Sequence, residues 1–304
     1  AADRVGLDIR LGARSAEYTL QARLRATRAG THTIQLPPAA ELLEAIIENR
    51  AQNLQAEDGA LRLALAPGEQ QLVVRWHQPE DTGILWRSAV PDLGVAAANV
   101  STTATLSDRR WVLWTGGPLL GPAVLYWAAL AVMLLVAFAL SRSGRTPLRL
   151  HHWLLLGLGF STVSWPALVL VVGWLLAVDW RERNGADLTG RQRNGAQLGL
   201  GLLTMLALIV LFSVIPAGLL GQPDMQVVGN GSSSSELRWF VDRSAPALPE
   251  TSIVSAPLWV YRLAILLWSV WLASALLGWL RWTWQAMGSG GYWWREPVVT
   301  SKAE

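Results

Sequence analysis

Along the first third of the chain, apolar and polar positions alternate with a period of two. Val5, Leu7, Ile9 and Leu11 form one such run, and Tyr18, Leu20, Ala22 and Leu24 the next. Leu61, Leu63 and Leu65 repeat it, as do Leu72, Val74 and Trp76, then Val100, Thr102, Ala104 and Leu106. Turn formers separate the runs: Ala29-Gly30, Pro37-Pro38, Asp58-Gly59, Pro67-Gly68 and Asp81-Thr82-Gly83. Short alternating runs punctuated in this way predict an antiparallel β-sandwich domain over residues 1–112. Segment 39–47 is ambiguous, because Leu42, Leu43, Ile46 and Ile47 also suit one face of a helix. Its neighbours favour a strand.

Beyond Trp111 the pattern changes from alternating to continuously apolar, which predicts an α-helical transmembrane domain over residues 113–304. Residues 119–140 carry no charge and are long enough to cross roughly 30 Å of hydrocarbon as a helix. Trp111 and Trp114 precede them at the place of an interfacial belt. Residues 198–220, with Pro216 near one end, make a second span, and residues 258–280 a third that holds one ionisable residue, Arg262.

Between these spans, residues 150–179 are apolar on both sides of a polar knot, Ser161-Thr162-Val163-Ser164-Trp165-Pro166. One reading is a single crossing. The other is a re-entrant helical hairpin whose arms, of about a dozen residues, reach roughly 18 Å into the bilayer. Basic residues decide between them, since short cytoplasmic loops collect Arg and Lys. With the hairpin, the cytoplasm holds Arg142, Arg145, Arg149, Arg181, Arg183, Arg191, Arg193, Arg281, Arg295 and Lys302, against Arg109, Arg110, Arg238 and Arg243 outside. A single crossing leaves Arg142, Arg145, Arg149, Arg238 and Arg243 inside and moves the rest out. The hairpin is therefore expected, giving three full spans plus a re-entrant pair. Loop 222–256 then emerges on the side of the β-domain. Its apolar group, Leu237, Trp239, Phe240 and Val241, predicts packing against that domain as an added strand.

Composition supports two dissimilar parts. Of 304 residues 52% are hydrophobic and only 15% charged, below the roughly 25% of soluble domains. The net charge of +3 does not argue for nucleic acid, because the arginines cluster beside apolar spans, where they report orientation. No Cys is present, which excludes disulfides, thiolate zinc sites and iron–sulfur clusters within this sequence. The start, Ala1-Ala2-Asp3-Arg4, has neither the basic nor the apolar region of a signal peptide. For an exported first domain we expect a removed signal or a longer parent protein.

Candidate chemistry is sparse. His32 and His77 lie on predicted strands, while His151 and His152 stand where a helix enters the membrane. An interfacial role suits the pair, with metal or tetrapyrrole ligation as the alternative. The polar turn, with Ser161, Thr162 and Ser164, would lie near the midplane, either as a substrate or ion site or as a hairpin cap satisfied by its own hydroxyls. A transporter normally carries intramembrane carboxylates or cations, and spans 119–140 and 198–220 have none. On the last span Tyr261, Trp268, Trp271, Trp279 and Trp282 fall within about 80° of one another at 100° per residue. That stripe faces lipid or another subunit. Gly195 and Gly199 make a GxxxG at a span's edge, and Asn230-Gly231-Ser232 matches a glycosylation sequon. No nucleophile elbow, phosphate loop, dinucleotide fingerprint or zinc-protease motif occurs.

The succession from Leu36-Pro37-Pro38 through Leu65-Ala66-Pro67-Gly68-Glu69-Gln70 to Trp111-Val112-Leu113-Trp114-Thr115-Gly116-Gly117-Pro118 resembles the C-terminal part of long, largely uncharacterised bacterial inner-membrane proteins. Those carry periplasmic β-domains ahead of a few C-terminal helices. The resemblance implies an envelope location and supplies no activity. The expectation is therefore a membrane-anchored binding or scaffold subunit of the bacterial inner membrane. Its β-domain would be periplasmic and its C-terminus cytoplasmic, with other protein subunits and the lipid bilayer as partners. No catalytic, cofactor or metal residue is assigned, and no nucleic acid. Trp239, Phe240, Trp268, Trp271, Ser161, Thr162 and Ser164 are the candidate interaction residues. The alternative is a polytopic transporter or membrane enzyme that uses the turn 161–166.

Overall fold

A computed structural model describes residues 1–144, 146–161, 165–188 and 190–289, the side chain of Trp165 excepted. The chain forms two compact units, Ala1–Leu125 with Asp224–Trp259, and Tyr126–Pro223 with the segment from Val260 onward.

In the first unit the alternating runs become β1 (Ala2–Leu11), β2 (Ala16–Ala26), β3 (Gly30–Gln35), β4 (Glu41–Ile47), β5 (Arg50–Gln52), β6 (Ala60–Leu65), β7 (Gly68–Gln78), β8 (Leu85–Arg87), β9 (Ala97–Thr105), β10 (Arg110–Gly116) and β11 (Ala123–Val124). Later the chain returns to the unit for β12 (Val227–Val228), β13 (Glu236–Ser244) and β14 (Ser252–Pro257). The ambiguous segment 39–47 is strand β4. It turns into β5 through Glu48 and Asn49, both at positive φ (48° and 59°), the geometry of a two-residue hairpin turn.

Seven strands make the main sheet, in the order β13-β9-β1-β2-β7-β4-β5. Its neighbours are antiparallel except β1 and β9, which run parallel with Leu7 opposite Thr102. The expected antiparallel sandwich is thus corrected to a mixed sheet. Parallel neighbours need a long crossover, and residues 79–96 supply one. They carry the chain from β7 past β2 and β1 and return it in the same direction.

Period-two alternation puts Val5, Leu7 and Ile9 of β1 on one face, each at most 1% exposed, with Asp8 and Arg10 on the other. Smaller sheets, β10-β14-β8 and β3-β6, supply Ile34, Leu61, Leu63, Trp86 and Ile253 to the same core. Tyr18 stacks on Trp76 there at 5.1 Å. Its hydroxyl donates to Glu80 Oε1 at 2.6 Å and accepts from the Ala89 N–H, and burial pushes the phenol well above its usual range.

Segment 237–241 is part of β13, as its apolar group predicts. Trp239 stands opposite Thr102 of β9, and Phe240 opposite Ser101. Leu237 (0% exposed) and Trp239 (3%) point into the core, while the Phe240 N–H donates to Leu120 O at 2.8 Å.

The second unit is helical: α1 (Tyr126–Arg142), α2 (Leu150–Ser161), α3 (Trp165–Asn184), α4 (Gly190–Leu220) and α5 (Leu258–Gly288), the last starting in the first unit. Among the described residues α4 and α5 are long and apolar enough to cross a membrane, with mean hydropathy of 2.7 and 2.0 over their most apolar windows. The expected first span, 119–140, is corrected: its helix starts only at Tyr126. Pro118, Gly121 and Pro122 break the helix. Leu120 bridges to Phe240, and Ala123–Val124 pair with β12. What remains is a 17-residue helix, about 25 Å long.

Two equal short arms were expected across 150–179, turning near a midplane. The structure instead has a 12-residue α2 and a 20-residue α3. Ser161, at the end of α2, meets the hydroxyl of Tyr126, the first residue of α1, at 3.0 Å. Arg183, near the end of α3, donates to Gly144 O just beyond α1 at 2.7 Å. So α2 runs back along α1, and α3 returns antiparallel to it.

Candidate interaction faces

The outer face of the main sheet carries the polar half of each alternating run. Gly6, Asp8 and Arg10 of β1 lie beside Thr19, Gln21 and Arg23 of β2, with Arg75 of β7 and Thr103 of β9 close by. Two depressions of about 340 and 320 Å³ share Asp8 and Gln21. Burial pushes the Asp8 carboxyl above its ordinary range. A hydrogen bond from Thr103 and the charges of Arg10 and Arg238 oppose that shift, while Glu236 adds to it. Around the depressions run exposed ion pairs, Arg23–Glu69 at 2.9 Å, Arg75–Glu44 at 3.4 Å and Arg238–Glu236 at 2.6 Å. Each such pair contributes little to stability. Together they make a face of mixed charge, rich in donors and acceptors, suited to a polar partner. Sequence reading singled out none of these residues as a site. The signal was the strict alternation, which says where a side chain points and nothing about what it meets.

The candidate residues divide between the units. Trp239 is a core residue: a Cβ on Gly121 would come within 2.4 Å of its indole, and one on Gly117 within 3.0 Å. The loop after β10 can therefore close over the ring only with glycine at both positions. Phe240 lies half-buried on the other side of β13.

In the helical unit Trp268 is 7% exposed and donates to Leu155 O of α2 at 2.7 Å, with Phe160 edge-on at 5.8 Å. A Cβ on Gly159 would lie 2.0 Å from its ring. The deep part of the tryptophan stripe thus faces α2. Trp271, half-buried, lies 6.1 Å from the ring of His152 and 6.2 Å from Trp279. Ser161 bonds Tyr126 and donates to Leu158 O. Thr162 and Ser164 lie outside the described residues.

The histidines do not converge on a ligand. The rings of His151 and His152 lie 4.2 Å apart, tilted by 48°, and His152 Nδ1 accepts the Arg149 N–H. His32 Nε2 bonds Leu93 O at 2.7 Å. Among the described residues no group of three or more His, Cys, Asp or Glu stands close enough to hold a metal ion.

Sequence reading counted Arg181 only among the cytoplasmic cations. It is 1% exposed and lies over Gly185, and its guanidinium donates to Met287 O at 3.5 Å and Ser289 Oγ at 3.4 Å. It caps the C-terminal end of α5, where a cation is favoured.

The sequence matches no protein-family model and no curated protein. Crystal structures of an M1 zinc metallopeptidase from Deinococcus radiodurans are similar over 38% of this chain and 34% of theirs. Sequence identity is 8% in both of two such structures, one with a bound Tyr-Ser-Ala substrate, at TM-scores of 0.32 and 0.31. So partial and so distant a likeness transfers nothing of that enzyme to this chain.

Proposed function

We propose that the chain is a membrane-anchored binding or scaffold subunit of the bacterial inner membrane, in keeping with the family resemblance of its sequence. The reading is carried by the way the chain divides. The first unit is assembled from Ala1–Leu125 and Asp224–Trp259, so the polypeptide passes between the units at three places. With α1 and α4 crossing a bilayer, residues 125 and 224 can share one side only if α2 and α3 together return to the side they left. Their antiparallel packing satisfies that requirement.

In this reading α1, α4 and α5 span, α2 and α3 form an unequal hairpin, and the first unit is periplasmic. The segment around Asn184 and the C-terminus is cytoplasmic. A β-unit tied at three points is an anchored platform, and its polar outer face is the surface offered to another envelope subunit. The alternative, transport or catalysis at the turn 161–166, is less well supported, because Ser161 is occupied by Tyr126 and Leu158.

Topology is checked with single cysteines in this Cys-free sequence. A membrane-impermeant maleimide on intact spheroplasts is expected to label Ser234→Cys and to spare Asn184→Cys until the membrane is opened. Labelling of Asn184→Cys in sealed spheroplasts refutes the arrangement.

Function is checked with a photo-crosslinking residue at Gln21 or Arg75 in intact cells. A discrete adduct to one envelope protein is expected from both, and the Gln21 adduct is expected to be lost on charge reversal at Arg75. If neither position captures a partner, and alanine at Ser161, Thr162 and Ser164 abolishes a transport activity in a protein that assembles normally, the scaffold reading falls.

A further inference from the structure

The first unit leaves large apolar side chains in solvent on two adjoining stretches. On the outer face of the sheet β10-β14-β8, Trp114, Val254 and Leu85 stand in register across the three strands. Trp114 and Leu85 are more than half exposed, as is the neighbouring Ile84. Loop 117–122 follows β10 directly, and in it Leu119 is fully exposed and Leu120 more than half. This loop is nonetheless fastened down. Leu120 O accepts from the Phe240 N–H at 2.8 Å and from Asn230 Nδ2 at 2.7 Å, and Thr115 Oγ1 donates to Pro122 O at 2.7 Å. Leu119 is therefore held out in solvent by a fixed backbone, and apolar surface displayed in this way marks a contact.

We infer that this surface rests in the boundary between lipid headgroups and acyl chains, so that the β-unit lies on the bilayer rather than above it. The inference depends on the proposal that α1 and α5 span the membrane. The Leu258 N–H, at the start of α5, donates to Arg109 O just ahead of β10 at 2.8 Å. At the far end of β10 the Thr115 bond brings back Pro122, four residues before α1. The two spans thus begin from opposite ends of a segment roughly 20 Å long at about 3.3 Å per residue, which lays β10 along the bilayer surface. Val112 and Ile253 occupy the core side of that sheet, leaving the side of Trp114 and Leu85 for lipid. Tryptophan is favoured at this level, and Arg87, on the same side of β8 as Leu85, suits the phosphates.

The length of α1 points the same way. Its 17 residues cover about 25 Å, about 5 Å short of a hydrocarbon layer of roughly 30 Å. Ser143 and Gly144 follow the helix, whereas the apolar Leu119, Leu120 and Leu125 precede it. Irregular backbone at that depth is tolerated where its polar groups are bonded within the protein. The carbonyls of Leu120 and Pro122 are so bonded, and Ala123 and Val124 pair with β12.

The test uses the full chain in vesicles of phosphatidylethanolamine and phosphatidylglycerol, with single cysteines carrying a nitroxide spin label. Leu85→Cys and Leu119→Cys report on the surface. Leu43→Cys, on β4 of the main sheet, is the water control, and Ile209→Cys, on α4, the lipid control. All four side chains are exposed, so the fold is expected to persist. Each label is scored by its collisions with oxygen, which concentrates in lipid, against those with a chelated nickel, which stays in water. Labels at Leu85 and Leu119 are expected to favour oxygen, as at Ile209, with the preference reversed at Leu43. A label at either Leu85 or Leu119 that favours nickel, while Ile209 favours oxygen, overturns the inference and leaves the membrane reading intact. Preference for nickel at Ile209 sinks the membrane reading and the inference with it. Labels at Leu85 and Leu119 that are immobilised and shielded from both reagents also overturn the inference, since another subunit or a second copy then covers the surface.

Discussion

Adding a single methyl group at Gly159 is expected to destabilise the helical unit by more than its size suggests. In Gly159→Ala the new Cβ would fall 2.0 Å from Trp268 Cε2, and the indole cannot step aside without breaking its bond to Leu155 O. Overpacking of a filled interior costs about 1–3 kcal/mol and sometimes more. The same change at Gly173, where a Cβ meets nothing within 4 Å, should have the opposite sign. Alanine in a helix interior is favoured over glycine by roughly 0.5–1 kcal/mol. Thermal aggregation in detergent, read by size-exclusion chromatography, is expected to place Gly159→Ala below the parent and Gly173→Ala level with or above it. Trp268→Phe combined with Gly159→Ala should recover part of the loss, because the smaller ring vacates the space. Equal melting of the two single variants would show that α2 and α5 do not pack through this contact.

Trp239→Ala is expected to have the largest effect in the first unit. The side chain is 3% exposed, shares the core with Leu237 and Val112, and fills the space under Gly117 and Gly121. Truncating a buried tryptophan costs about 3–5 kcal/mol, through lost apolar burial and the cavity left behind. Because β13 pairs only with β9 in the main sheet, the loss should be local first. Proteolysis of the whole protein in detergent is expected to cut within 224–257 well before it cuts β1 or β2. Phe240→Ala, on the half-buried outer side of the same strand, should lose far less. Comparable losses from the two substitutions would mean that the strand is held by its backbone ladder rather than by the indole.

Much of the fold was legible because it depends on local periodicity. Alternation in β1, β2, β6, β7 and β9 sorts inward from outward residues without any knowledge of partners. Leu61, Leu63, Val74 and Trp76 are all fully buried as that sorting requires. The apolar group at Leu237 and Trp239 likewise announced burial, since exposing it would forfeit roughly 25 cal/mol per Å². Continuous apolarity marked α4 and α5. The start of α1 was misplaced because hydropathy registers Leu119 and Leu120 as membrane-like, whereas Pro118, Gly121 and Pro122, with the pairing to Phe240 and β12, keep them out of the helix.

By itself, then, the sequence determined two dissimilar parts, the face each strand buries, the two long apolar helices and the return of segment 237–241 to the β-unit. All of these follow from side-chain chemistry at neighbouring positions. Only the tertiary structure decided that β9 lies parallel to β1, since strand order depends on where a long connection crosses. It alone turned the deep tryptophans towards α2, because Gly159 and the Leu155 carbonyl stand more than a hundred residues from Trp268. It also buried Arg181 and set it over the end of α5. These arrangements come from contacts between residues far apart in the chain, and local sequence pattern carries no information about such pairs.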